Sequence, residues 1–127
     1  MPNNAMAPTI QKGDRVSVDL RAYAESDPEA GDLVVFRPGE PGDLRWIFRI
    51  AAVPGDVVGY EEGRLVRNGF PLVAPEPLQD QTFAAPDRMK PGSELFYPHR
   101  LGPTEYFLLS DDPAHRHDSR YWGLVER

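Results

Sequence analysis

Proline and glycine are spread along the whole of this 127-residue chain, 14 and 11 of them, and they leave few stretches in which a helix of ordinary length could run. What lies between them is short, apolar and rich in β-branched and aromatic residues. "DRVSVDL" (14–20) alternates with period two, which places Val16, Val18 and Leu20 on one face of a half-buried strand. "DLVVF" (32–36) and "RWIFRIAAV" (45–53) are bounded by Gly31-Asp32, Pro41-Gly42 and Pro54-Gly55 turns. "VVGYEEGRLVRNGFPLV" (57–73) reads as a strand, a turn at Glu62-Gly63, a second strand, the Asn68-Gly69 hairpin signal and a short third strand. "EYFLLS" (105–110) and "RYWGLV" (120–125) are the last strand candidates. The region 75–103 is proline-rich and weakly patterned, which predicts a long loop or irregular arm. The one helical candidate, "LRAYAESDPEA" (20–30), is stopped early by Pro28. The prediction is an all-β chain of mainly antiparallel, folded or barrel-like sheets with long loops. Its length suits a single domain over 1–127, burying about two thirds of the surface of the unfolded chain.

Charge and composition remove several function classes. With 14 Lys+Arg against 20 Asp+Glu, the formal charge of -6 repels phosphate backbones, so no nucleic-acid partner is expected. The chain has no cysteine, which excludes disulfides, thiolate catalysis and cysteine zinc sites. No apolar run approaches the roughly 18 residues of a membrane span, and the polar start is unlike a signal peptide, so the chain as read is expected to be soluble.

Four stretches, in order, carry a specific resemblance. "PNNAMAPTIQKGDRVSV" resembles the nucleophile segment of type I signal peptidases, in which a Ser-Met-x-Pro-Thr core follows a Pro-Ser-Gly-like lead and precedes Gly-Asp. "GDLVVFRP" is similar to their next strand, "WIFRIAAVPGD" to their Lys-Arg-Val-x-Gly-x-Pro-Gly-Asp segment, and "SDDPAHRHDSRYWG" to their Gly-Asp-Asn-x-x-x-Ser-x-Asp-Ser-Arg-x-Trp-Gly segment. "GRLVRNGFPL" and "GPTEYFLLSDD" fit the stretches between, so the resemblance spans nearly the whole chain and implies the family's catalytic-core fold.

The family's chemistry is a serine and lysine dyad, in which a buried, uncharged lysine takes the proton of the serine hydroxyl that attacks the substrate carbonyl. At the serine position this chain has Ala5, whose methyl group has no lone pair. At the general-base position it has Phe48, and a benzene ring accepts no proton. At the position of the serine that orients the lysine it has Arg116, whose permanent charge opposes a neutral lysine. The surrounding frame is kept: Gly13-Asp14, Gly31-Asp32, Pro54-Gly55-Asp56 and Asp118-Ser119-Arg120 stand where the family has them. The resemblance implies that Asp118 and Arg120 form an ion pair on the floor of the site. It also implies a groove for an extended peptide along 2–6 and 46–50, with Pro2, Asn3, Asn4, Met6, Trp46, Ile47 and Arg49 as candidates. Asn4 and Ser110 replace residues that are usually glycine.

Other constellations have simpler readings. Asp111, Asp112, His115, His117 and Asp118 could in type ligate a metal, but Arg116 lies among them and Asp118 is matched with Arg120, so no metal or other cofactor is expected. His117 as a substitute base lacks a partner hydroxyl, because Thr9 and Ser119 occupy structural positions of the family. His99 reads as a solvated loop residue, Lys12 and Lys90 as surface lysines, and Trp46, Phe48, Phe70 and Trp122 as core.

The resulting expectation is a catalytically inactive relative of the signal peptidases. Its candidate partners are signal-peptide-like extended segments, or an active peptidase that it regulates, close to the extracytoplasmic side of a membrane. The alternative is a knock-out form of a membrane-associated serine endopeptidase that removes signal peptides. A single change at the nucleophile already costs on the order of a millionfold in such units, so the additional bulky changes at Phe48 and Arg116 favour natural degeneration. A third reading is a structural domain without a client.

Overall fold

The computed structural model describes residues 6, 9–10, 13, 15, 26–36, 46–72, 83, 98–114 and 118–126. Of the expected strand at 14–20 only Arg15 is described, outside any strand; most of the helical candidate at 20–30, Pro2 to Ala5, Lys12, Lys90 and His115 to His117 lie outside the described residues. Residues 26–30, the described end of the helical candidate, are not helical.

The strands are β1 (Leu33–Phe36), β2 (Trp46–Ala52), β3 (Val57–Glu61), β4 (Arg64–Arg67), β5 (Phe70–Pro71), β6 (His99–Arg100), β7 (Glu105–Leu109) and β8 (Val125–Glu126), with one helical turn α1 (Ser119–Trp122) before the last. They form two antiparallel four-stranded sheets, ordered β1-β2-β7-β8 and β5-β4-β3-β6. Neither is a closed barrel, so of the two forms expected from the sequence the folded sheets are the one adopted.

The central strands of the first sheet, β2 and β7, are covered on both faces. On one, Phe48 and Ile50 of β2 pack with Tyr106 and Leu108 of β7. On the other, Ala51, Ala52, Phe107 and Leu109 pack against Val58, Leu65 and Leu101 of the second sheet and its return, with Phe83. Period two alone would return Ala52 to the face of Ile50; the register shift between Ile50 and Ala52 breaks that alternation. Two small side chains thus meet the second sheet in succession. β7 is correspondingly an almost unbroken apolar run, as a strand covered on both sides must be.

The second sheet is built by tight turns. Glu62 and Gly63 have φ of 52° and 77°, and Asn68 and Gly69 have 52° and 85°, the paired positive values of the turn whose twist suits a two-residue hairpin. A Cβ at either glycine would meet nothing, so glycine is needed there for its backbone angle and not for space. The 57–71 reading from sequence is therefore realised strand for strand.

Three local expectations are corrected. "RYWGLV" is not a strand: Asp118 caps a helical turn and Gly123, at φ 85°, ends it, leaving only Val125–Glu126 to pair with β7. Phe70 is not core, being 77% exposed, because it follows the Asn68-Gly69 turn on a two-residue edge strand. His99 is not a loop residue; it pairs with Val58 in β6, and its Nε2 lies 3.4 Å from Glu105 Oε1.

Candidate functional site

The N-terminal segment that carries position 5 is fastened to the first sheet through Asp111, just beyond the end of β7. Arg49 donates from Nε to Asp111 Oδ1 at 2.7 Å and from Nη2 to Oδ2 at 2.8 Å, the two-pronged geometry that suits a guanidinium and a carboxylate. Its Nη1 donates to the Gly31 carbonyl at 2.8 Å. The Thr9 hydroxyl donates to Asp111 Oδ2 at 2.5 Å, and the Asp111 N–H donates to the Met6 sulfur at 3.4 Å. The Met6 carbonyl also accepts the Ile10 N–H at 2.9 Å, so Met6 and Ile10 are tied to each other while Met6 and Thr9 are tied to Asp111. The hydrogen bonds that Arg49 donates to Asp111, together with the carboxylate charge, raise the pKa of the guanidinium above its ordinary value, although partial burial acts the other way. Arg49 is cationic at every working pH.

Alternation along β2 puts Phe48 on the opposite face from Arg49. Phe48 is 2% exposed, among Ile50, Tyr106 and Leu108, with Val34, Val53 and Val125 around them. A lysine amine in this setting would be stripped of water and pushed toward its neutral form. The surroundings suit a general base; the phenyl ring supplies none.

A third cluster lies between the end of β7 and α1. Asp118 accepts Arg120 Nη2 at 2.8 Å and Nε at 3.0 Å, together with the backbone N–H groups of Arg120 at 3.1 Å and Ser110 at 3.2 Å. Arg120 Nη1 donates to the Pro113 carbonyl at 3.1 Å, and its guanidinium carbon lies 5.1 Å from the Phe83 ring centroid and 5.4 Å from that of Tyr121. The Ser119 hydroxyl accepts the Leu108 N–H at 2.9 Å, satisfying a buried strand donor. The pair is buried and its hydrogen-bonding atoms are engaged, so its role is to tie the end of β7 to α1.

Of the candidate groove residues, Met6 is fully buried and its side chain faces the interior, so only its main chain could line a groove. Arg49 is committed to Asp111 and Gly31. Trp46 and Ile47 extend β2 beyond the end of β7, whose pairing stops with Arg49 opposite Leu109. Pro2, Asn3, Asn4, Ala5 and Arg116 lie outside the described residues. The possible metal ligands have other partners: Asp111 is held by Arg49 and Thr9, Asp118 by Arg120, and Asp112 Oδ1 accepts the Ala114 N–H. No group of three such side chains gathers among the described residues.

Sequence reasoning treated Asp111 only as a possible metal ligand and missed its pairing with Arg49. The signal was present: β2 and β7 were both read as strands, and an arginine near the middle of one faces an aspartate two residues past the end of the other. Only their antiparallel register, Arg49 opposite Leu109, turns that into a contact. No helix among the described residues is long and apolar enough to cross a membrane.

A family model described as "Signal peptidase, peptidase S26" matches residues 1–127. Along its full length the chain is 32% identical to a probable signal peptidase I-2 of Synechocystis sp., of which it covers 56%. It is 30% identical to a protein of Staphylococcus aureus strain COL named inactive signal peptidase IA, of which it covers 70%. A crystal structure of a signal peptidase I from Enterococcus faecalis V583 matches 80% of this chain and 91% of that one, with a TM-score of 0.51 and 25% identity. The chain thus spans little more than half the length of the first of these relatives. It belongs to the signal peptidase family.

Proposed function

We propose that this protein is a catalytically inactive signal peptidase relative that acts by binding, either holding extended signal-peptide-like segments or regulating an active peptidase. The observation that carries this reading is the place of Phe48. Its ring lies in a buried cluster with Ile50, Tyr106 and Leu108, at the position that the family resemblance gives to the general base, and the ring itself accepts no proton. Ala5 at the nucleophile position and Arg116 at the orienting position point the same way. The inactive designation of the Staphylococcus relative lends support from a similar chain.

The frame of the site is retained for a reason compatible with binding. The Arg49–Asp111 and Asp118–Arg120 pairs, which we assign to the floor of the site, hold the segment at Met6 and the end of β7 in place whether or not chemistry follows. An extended peptide would add to the sheet through its main chain along 2–6 and 46–50, a mode that survives the loss of catalytic side chains. By analogy with the family, the protein works at the extracytoplasmic face of a membrane.

Intact-mass analysis after treatment with a penem of the type that acylates this family tests the reading. No adduct and no cleavage of signal-peptide substrates are expected from the unaltered chain. Activity is expected only after Ala5→Ser, Phe48→Lys and Arg116→Ser are combined. A covalent adduct on the unaltered chain would overturn the proposal.

A further inference from the structure

Asn68 and Gly69 make the turn between β4 and β5, and nowhere else in this chain does a glycine follow an asparagine; Asn3 is followed by Asn4 and Asn4 by Ala5. Both turn residues are exposed. An asparagine placed before glycine carries a reaction of its own, because the main-chain nitrogen of the next residue can attack the side-chain carbonyl carbon. Glycine has no Cβ to hinder that approach. A Cβ built at position 69 would meet nothing within 4 Å, so no neighbouring atom shields Gly69 on that side.

The fold holds the reacting side chain elsewhere. The Asn68 N–H donates to the Val57 carbonyl at 2.8 Å, and Asn68 Oδ1 accepts the Val57 N–H at 2.8 Å, so the side-chain carbonyl takes the place of a main-chain acceptor in the last rung between β3 and β4. Asn68 Nδ2 donates to Asp56 Oδ1 at 3.0 Å, a hydrogen bond to a charged group. Asp56 is itself fixed, since its Oδ2 accepts the Val53 N–H at 3.0 Å and Arg67 Nε at 2.7 Å. Ring closure has to carry the amide carbon of Asn68 onto the Gly69 nitrogen, away from both partners.

We propose that Asn68 is a modification site of this protein, converted to aspartate and isoaspartate through a succinimide, and that the Asp56 carboxylate is the latch that sets its rate in the folded chain. The Gly69 nitrogen gives its proton to a base in the solvent and bonds to Asn68 Cγ; the Cγ–Nδ2 bond breaks, and Nδ2 takes up a proton and leaves as ammonia. Water then opens the ring at one carbonyl to give aspartate or at the other to give isoaspartate. Aspartate replaces the hydrogen bond to Asp56 by repulsion between two carboxylates. Isoaspartate adds a carbon to the main chain inside a two-residue turn, so the Arg67–Phe70 rung no longer closes in register. Either product loosens β5 and the bond behind it, from the Leu72 N–H to the Leu65 carbonyl at 3.0 Å.

Peptide mapping by mass spectrometry, after incubation of the full chain in mildly alkaline buffer, reads conversion at Asn68 with Asn3 and Asn4 as internal references. In guanidinium chloride Asn68 converts first, and Gly69→Ala slows it to the rate of Asn4, which an alanine already follows. In the folded chain Asn68 converts more slowly by about tenfold or more, because two hydrogen bonds, one of them to a charged group, must first break. Asp56→Ala raises the folded-state rate severalfold. Asp56→Asn, which keeps an acceptor and loses the charge, raises it by less and keeps the test decisive if Asp56→Ala disturbs the fold. Equal rates in the folded and unfolded chain, an unchanged folded-state rate in Asp56→Asn, or failure of Asn68 to lead in the unfolded chain would overturn the proposal.

Discussion

Asp118 and Arg120 stand two residues apart in the chain, and their side chains meet in an ion pair that is 0% and 1% exposed, with Nη2 to Oδ2 at 2.8 Å. The same carboxylate caps α1 and accepts the Ser110 N–H, so one aspartate joins the end of β7 to the helical turn that leads into β8. Removing either member leaves the other charged and buried. Asp118→Asn or Arg120→Met is expected to cost about 3–5 kcal/mol in urea unfolding, with the double variant less destabilised than the sum of the two. Additive costs in the double variant would show that the two side chains do not act as a pair.

Phe48→Lys places an amine among Ile50, Tyr106 and Leu108. Burial would depress its folded pKa below the unfolded value of about 10.4, so the unfolded state binds the extra proton between those two values. Stability of the variant is then lowest at and below neutral pH and recovers as pH rises toward 10. Loss of the ring's own burial, roughly 1.5–3 kcal/mol, remains at every pH. Thermal unfolding of both proteins from pH 6 to 10 measures this, and a pH-independent difference would place the amine in water.

Asp56 governs the acid side. Burial pushes its carboxyl upward, but hydrogen bonds from the Val53 N–H, Arg67 and Asn68, with the charge of Arg67, outweigh that and leave it below the ordinary value. A depressed carboxylate contributes stability above its unfolded pKa of about 3.9 and loses it as pH falls through the lower folded value. The unaltered protein should therefore lose more stability between about pH 5 and 2 than Asp56→Asn does. Parallel pH profiles in chemical denaturation would remove Asp56 as a contributor.

Ser110, just past the end of β7, carries a buried hydroxyl with no hydrogen-bond partner. Ser110→Ala removes the oxygen while keeping the Cβ. It should raise stability by about 1 kcal/mol, since an unsatisfied buried hydroxyl costs on that order. A loss of stability in differential scanning calorimetry would mean that the hydroxyl is satisfied in solution.

Peptides with an Ala-x-Ala segment should bind weakly, with a Kd in the high micromolar range or poorer, about -5 kcal/mol or less favourable. On the proposed groove, Phe48 would intrude on the pocket for a small side chain, which limits the expected affinity. Backbone NMR shifts confined to residues 2–6 and 46–50, and absent with a scrambled peptide, would mark a retained groove. Equal responses to both peptides would remove it.

The sequence by itself determined the features that depend on a few neighbouring residues. Both hairpins from Val57 to Pro71 were legible because a positive-φ pair such as Asn68-Gly69 and the apolar runs beside it act over less than ten positions. The resemblance to the family, which rests on short stretches in order along the chain, was equally legible. What only the tertiary structure decided are contacts across the chain. Arg49 and Asp111 are 62 residues apart and Thr9 and Asp111 are 102 apart, so their meeting depends on the register of β2 with β7 and on how the N-terminal segment lies over both. The break in alternation at Ala51 follows from the same register, as two packed sheets must share one interface. "RYWGLV" has the apolar content of a strand, and it became a helical turn because Asp118 caps it while bound to Arg120 and Ser110. The cap and the pair with Arg120 span only two residues and are local signals, whereas the Ser110 N–H that the same carboxylate accepts comes from the end of β7, eight residues back, a placement that only the folded chain decides.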